Sequence, residues 1–268
     1  MRSNGVTEPV LICDTNLSRG WARVLLRVLD NPGTEISPLV LSLTGFDADG
    51  YPAEDRGVRK ELDTVLAELK YWDVETVAFT IFPQQYWRLC RGDRTKLFPM
   101  YQDAFPRLQA MNRKDNRRGL YFERLTMFGS GPCEGNQLEW IIQEYTKRKG
   151  VRRSAFQATT FDPARDHLPD AQLGFPCLQH MSFVPSGDEL VVNAFYATQQ
   201  LFDKAYGNYL GLSHLGAFMA TQMGLRLARL NVTVGVAKLE RVNKSELKHT
   251  AVVSAARTCV ADAEMVRT

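Results

Sequence analysis

The stretch "LGFPCLQHMSFVPSGDELVVNAFYATQQ" (Leu173–Gln200) decides how the rest of the chain is read. Two apolar, β-rich runs, "LQHMSFV" (178–184) and "ELVVNAFYAT" (189–198), flank the turn signal "PSGD", so they pair as a hairpin. Cys177 follows a proline at the head of the first run. It is either a nucleophile or a small apolar side chain buried at a strand start. A thiol attacks only as thiolate, which needs a cation, a helix N-terminus or a base close by. His180 is the only local candidate, and positions 177 and 180 point to opposite faces of a regular strand.

Helical and extended patterns alternate on both sides of the hairpin. "RGWARVLLRVLD" (19–30) and "RKELDTVLAELKYW" (59–72) carry apolar residues at helical spacing, and "GNQLEWIIQEYTKRKG" (135–150) adds basic residues in its last turn. "YLGLSHLGAFMATQMGL" (209–225) is apolar on all sides and is expected to be the most buried helix. Strands are expected at 35–46, 75–82, 154–161 and 229–242, and a strand or extended segment at 119–128. "LFPMYQDAFPRLQAMN" (97–112) reads as a short helix broken by its prolines, and the C-terminal part is weakly patterned. Helices lie between strands that partly pair as hairpins, so the fold class is α+β in one domain, 1–268.

Composition narrows the function classes. The chain has 268 residues, 44% of them hydrophobic, which suffices for a large core. The net charge of +3 suits an anionic small molecule, and no dense basic block predicts a nucleic-acid polymer as partner. "NRKDNRR" (112–118) reads as a solvated loop. No apolar run approaches the ~20 residues of a membrane span, and the first residues lack the layout of a signal peptide. The five cysteines are widely spaced without a CxxC pair, so neither a disulfide framework nor a metal site is expected. The expectation is a cytoplasmic protein with reduced thiols. GxGxxG, the P-loop pattern, HExxH and GxSxG are all missing.

Residues 135–240 nevertheless resemble thymidylate synthase in order and spacing. "NQL" (136–138), Arg152-Arg153, "TFDP" (160–163), Pro176-Cys177, the hairpin, "ATQQ" (197–200) and "AYGN" (205–208) follow the family's succession. Residues 1–134 match more loosely, through "RVLLRVLD" and "GLYFERL". The resemblance implies a mixed sheet packed by helices and a homodimer formed through that sheet. It also implies transfer of a one-carbon group, methyl or hydroxymethyl, to C5 of a pyrimidine nucleotide or nucleoside. Cys177 would be the nucleophile, adding to C6. Methylenetetrahydrofolate would supply the one-carbon unit.

By position, the resemblance makes Asn208 the reader of the base, although Asn208 can equally cap the following helix. Arg152 and Arg153 would reach the phosphate bound by the partner subunit, or else solvate a helix-to-strand junction. Thr198 and Gln200 stand where the family has Ser and Asp, and Lys238 and Glu240 where it has a sugar-binding His and Tyr. Ala197 replaces an arginine that contacts phosphate and supports the thiolate, and Leu178 replaces a histidine. The catalytic glutamate falls on Glu61 or Glu75. These departures leave two alternatives: a ligand other than dUMP, or a catalytically inactive fold serving as a nucleotide sensor or assembly partner. His214, Tyr121, Trp72, Trp87 and Trp140 are expected to be packing residues.

Overall fold

The computed structural model describes residues 8–113, 116–129, 131–169 and 176–265. The first residues of the opening quotation, Leu173–Phe175, lie outside the described residues, as do 1–7 and part of the 112–118 loop. Among the described residues, eleven α-helices pack on a mixed seven-stranded sheet of order β1-β3-β7-β6-β5-β4, with β2 pairing β7. The hairpin is present as β5 (Leu178–Ser186) and β6 (Glu189–Gln200). From β6 the chain enters α9 (Ala205–Met223) and returns as β7 (Arg226–Lys238), parallel to β6. A second crossover joins β1 (Val10–Asp14) through α1 (Leu17–Asp30) to β3 (Leu39–Leu43), again parallel. β3 and β7 are antiparallel and close the two units into one sheet. β2 (Glu35–Ile36) lies just before β3, and β4 (Gln157–Thr159) pairs antiparallel with β5.

Alternation along the strands assigns one face to the core. Leu39, Leu41, Leu190, Val192, Tyr196, Leu230, Val232 and Val234 are buried on that face. Opposite residues stay half-buried or exposed: the register aligns Leu11, Val40, Thr233, Phe195, His180 and Thr159 in one row across the sheet. α9 fills the centre of the core face and is buried around nearly its whole circumference, as its uniformly apolar sequence requires.

Two segments expected as strands are helices. Residues 75–82 belong to α3 (Val74–Ile81), although Val, Thr, Phe and Ile favour strands. Asp73 caps α3 by accepting from Thr76 N at 2.6 Å, and the helix packs along α9 at glycine positions. A Cβ at Gly207 would stand 2.5 Å from Val77 Cβ, and one at Gly211 would stand 2.7 Å from the Ala78 carbonyl oxygen. Tertiary packing thus overrides local propensity. We expect Gly211→Ala to destabilise the protein by a net ~1–2 kcal/mol in urea unfolding, because overpacking against backbone outweighs the ~1 kcal/mol gained in helix propensity. Residues 119–128 likewise contain α6 (Tyr121–Thr126).

Pro99 and Pro106 do not break the next helix: α5 runs continuously from Arg94 to Met111, capped by Asp93 and anchored by buried Leu97 and Tyr101. α2 (Arg56–Glu68) and α7 (Gln137–Lys147) follow the expected patterns. β1 and α4 (Gln84–Leu89) give no clear sequence signal. Neither does α11 (Ala251–Met265), which packs against α1 and α2. The short helices α8 (Pro163–Asp166) and α10 (Lys244–Leu247) complete the set. No helix among the described residues is long and apolar enough to cross a membrane.

Candidate functional site

A cavity of about 340 Å³ opens where β5, β6, α6 and the start of α9 meet. Cys177, Gln200 and Asn208, widely separated in sequence, line it together. Hairpin pairing brings Cys177 beside the end of β6: its carbonyl accepts from Ala197 N at 2.9 Å, and its Sγ lies 3.6 Å from Thr198 Oγ1. Asn208 sits in the first turn of α9, 5% exposed, where the close α3–α9 packing fixes it. It does not cap α9, which begins after Lys204 with no side-chain cap.

Glu240 and Lys238 do not line the cavity and reach it only through Gln200. Glu240 accepts from Gln200 Nε2 at 3.4 Å and pairs with Lys238 at 3.6 Å. Arg152 and Arg153 are exposed, outside this cavity, at the short turn before β4. Neither Glu61 nor Glu75 lines it. Glu75 pairs with Arg59 at 2.9 Å and faces a neighbouring cavity. His180 stands on the other sheet face, exposed opposite Phe195, despite a bulge between Leu178 and His180.

Burial pushes the Cys177 thiol up, and Glu240 adds to the rise. The Thr198 hydrogen bond and Lys238 offset only part of it. Without a ligand the sulfur is therefore a thiol at neutral pH.

Several wall residues were not expected. Tyr121 was assigned to packing, yet it lines the cavity, and its Oη accepts from Leu178 N at 3.4 Å. Trp72 is also in the wall, stacked beneath Lys204 with the ammonium 4.4 Å from the ring centroid. Arg118, taken as part of a solvated loop, faces the cavity, as do Arg124, Lys204 and Arg241. No carboxylate is present among the described lining residues. Gln199 is 2% exposed; its Oε1 accepts from Tyr209 Oη at 2.8 Å, while its Nε2 has no hydrogen-bond partner among the described residues. Trp72, Arg118, Lys204 and Arg241 lie in loops or turns with no periodic pattern, whereas Tyr121 and Arg124 lie in α6 and Gln199 in β6.

Arg124 acts as a post. It donates to Asp166 at 2.7 and 2.9 Å, to the Thr160 carbonyl at 2.7 Å and to the Arg118 carbonyl at 2.8 Å. Thr160 in turn hydrogen-bonds through its hydroxyl to the Leu178 carbonyl, one residue from the thiol.

His214 lies deeper in α9, 8% exposed and edge-on to Tyr51. Burial pushes its imidazole down to about 4, with Arg88 and Arg59 adding to the fall and Glu75 opposing it. The unfolded chain takes up this proton near pH 6.5 and the folded chain only near 4. Stability is therefore fullest above pH 6.5 and declines as pH falls between these values, by up to about 3 kcal/mol. In His214→Phe that part of the decline should vanish when unfolding free energies are compared at pH 7 and pH 4.5.

Comparison with protein-family models and with curated proteins finds no match for this chain.

Proposed function

We propose that this protein is a thymidylate-synthase-like enzyme that adds a one-carbon group to C5 of a pyrimidine nucleotide or nucleoside through a covalent adduct at Cys177. The observation carrying this reading is the convergence of Cys177, Gln200 and Asn208 on one cavity of about 340 Å³. That volume lies within the usual range for small-ligand sites. In the proposed step the Cys177 thiol loses its proton to solvent water or hydroxide, and the thiolate Sγ bonds to C6. The C5–C6 π pair moves toward the C4 carbonyl, leaving C5 carbanion-like. Asn208 holds the amide edge of the ring, and Gln200 with Glu240 faces the base or sugar. Thr198 Oγ1 lies 3.6 Å from the sulfur, and the Tyr121 hydroxyl accepts from the neighbouring Leu178 N.

The neighbouring cavity of about 500 Å³ shares Trp72, Thr80, Asn116 and Leu120 with the first and adds Phe79 and Tyr86. Such an aromatic, contiguous wall fits the flat ring of a methylenetetrahydrofolate. Trp72, Phe79 and Tyr86 would hold it, and it would supply the one-carbon unit.

The uncovered sheet face supports a homodimer. Leu11 is 67% exposed and Phe195 is 40% exposed in a row with Val40 and Thr233. Beside it runs a hydrogen-bonded polar row, with Asn193 bonded to Ser182 at 3.0 Å and Asn231 to Asn193 at 2.9 Å. We expect a solution mass of twice the 30.3 kDa chain. Phe195→Asp, which places a charge in the centre of that face, should reduce it to the single-chain mass in sedimentation equilibrium.

A second reading, a nucleotide-binding sensor without turnover, is favoured by one observation: burial holds the Cys177 sulfur as a thiol. Tritium release from C5-tritiated dUMP, dCMP and their nucleosides, with and without folate, separates the two. Exchange on any of them supports the enzyme. Nucleotide binding with no exchange on any of them supports the sensor.

A further inference from the structure

We infer that residues 240–242 form a strap over the mouth of the Cys177 cavity, latched by Tyr71 and Asp203, and that its release controls which molecules reach the thiol. The inference concerns access alone, so it stands apart from the nucleotide reading above.

Exposure locates the mouth. Of the described lining residues, Arg241 is the one that is exposed, and the rest are buried or half-buried. The cavity therefore meets solvent beside Arg241. The wall on that side is built from three segments far apart in the chain. Tyr71 and Trp72 lie between α2 and α3, Asp203 and Lys204 between β6 and α9, and Arg241 follows β7. Contacts close these segments into a ring. Tyr71 Oη donates to the Arg241 carbonyl at 2.7 Å, and the Arg241 guanidinium pairs with Asp203 Oδ2 at 3.3 Å. Lys204 Nζ lies 4.4 Å from the Trp72 ring centroid and completes the circuit. The Arg241 guanidinium carbon is also 5.2 Å from the Tyr71 ring centroid, within cation–π reach.

The ends of the strap are anchored and its middle is not. Leu239, just before it, is 5% exposed and donates from its N–H to the Thr34 carbonyl at 2.8 Å. Just after it, Asn243 caps α10 by accepting from Ser245 N at 3.0 Å, and Lys244 Nζ bonds the Gly33 carbonyl at 2.8 Å. Among the described residues, no backbone–backbone hydrogen bond involves 240–242. The latch therefore consists of the Tyr71 hydroxyl and the Arg241 side chain.

Two opposed influences act on that latch. Arg241 holds a left-handed backbone conformation, φ 65°, which is uncommon for a residue with a Cβ and favours release. Asp203 favours closure. It is 3% exposed, its Oδ1 has no hydrogen-bond partner among the described residues, and Arg241 is its ion-pair partner. Opening leaves that carboxylate buried without its counter-charge, which pulls the strap back. A segment balanced in this way moves between two arrangements about its anchored ends.

The test is alkylation of the full chain without ligand, with each cysteine followed separately by mass spectrometry. The reagents are iodoacetamide and a bulky fluorescein maleimide, and the ratio of their rates cancels any change in thiolate fraction. Cys13, exposed on β1, is the internal control. In wild type the maleimide-to-iodoacetamide ratio at Cys177 should lie at least ~10-fold below that at Cys13, as for a mouth open about a tenth of the time. Tyr71→Phe, which removes only the hydroxyl, should raise the Cys177 ratio ~3–5-fold. Arg241→Ala should bring it to within about twofold of Cys13. Thermal unfolding of both variants checks that the fold is kept, and Tyr71→Phe decides the matter if Arg241→Ala melts early. A Cys177 ratio that stays at the wild-type value in Tyr71→Phe overturns the inference, and so does a rise that Cys13 shares.

Discussion

Cys177→Ala should abolish tritium release from C5 of the responsive pyrimidine nucleotide, a fall of at least ~10³-fold, or about 4 kcal/mol of barrier. The reason is chemical. Among the described lining residues there is no other sulfur, and the polar side chains besides are amides, hydroxyls, an indole and cations. None of these is a nucleophile comparable to a thiolate at neutral pH. Folding should be nearly untouched, because Cys177 is only half-buried and loses one long contact to Thr198. The unfolding midpoint should therefore move by no more than about 2–3 °C. Burial raises the Cys177 thiol above its ordinary range, so exchange should climb on the alkaline side as thiolate forms. Free-protein alkylation should follow the same limb, slower at pH 7 than for an exposed thiol. Undiminished exchange in Cys177→Ala would remove the covalent mechanism altogether.

Asp166→Ala should be the most damaging single change to stability, costing about 3–5 kcal/mol. Arg124 is 2% exposed and Asp166 is fully buried, and their two contacts form a bidentate pair. Removing the carboxylate leaves an arginine charge uncompensated inside the protein. For a domain of this size the expected fall in unfolding midpoint is on the order of 10 °C. The effect should extend to the site. Arg124 also holds the Thr160 carbonyl, and Thr160 holds the strand start next to Cys177. Burial raises the Asp166 carboxyl, but the hydrogen bonds from Arg124 and Asp162 N outweigh it, and the net result lies below the ordinary 3.8. A carboxyl lowered by folding stabilises the native state above that value, and the contribution is lost as pH falls below it. Acid unfolding of wild type should show this loss below pH 3.8, and Asp166→Ala should not.

How much was legible can be judged from particular elements. The β5–β6 hairpin, α1, α2, α7, α9 and β7 announce themselves because their apolar periodicity coincides with the face they bury. Residues 75–82 do not, because their side chains suit a strand and only contact with Gly207 and Gly211 makes them helix α3. Residues 119–128 read as extended, yet they contain helix α6, which buries Phe122 and Leu125. Cys177, Gln200 and Asn208 could be singled out from order and spacing. Arg118, Lys204 and Arg241 could not, since charge and loop position alone do not tell a solvated cation from one lining a cavity.

The sequence by itself determined the α+β class, the hairpin and its buried crossover helix, and the residue types available for chemistry. Periodicity is a local property, and burial on one face is enough to enforce it. Tertiary structure alone decided which sheet face stays open, which propensities are overruled, and which charges surround the thiol. These outcomes depend on contacts between residues far apart in the chain, such as Gly211 with Ala78 and Arg124 with Asp166, whose energies exceed the local preferences they oppose.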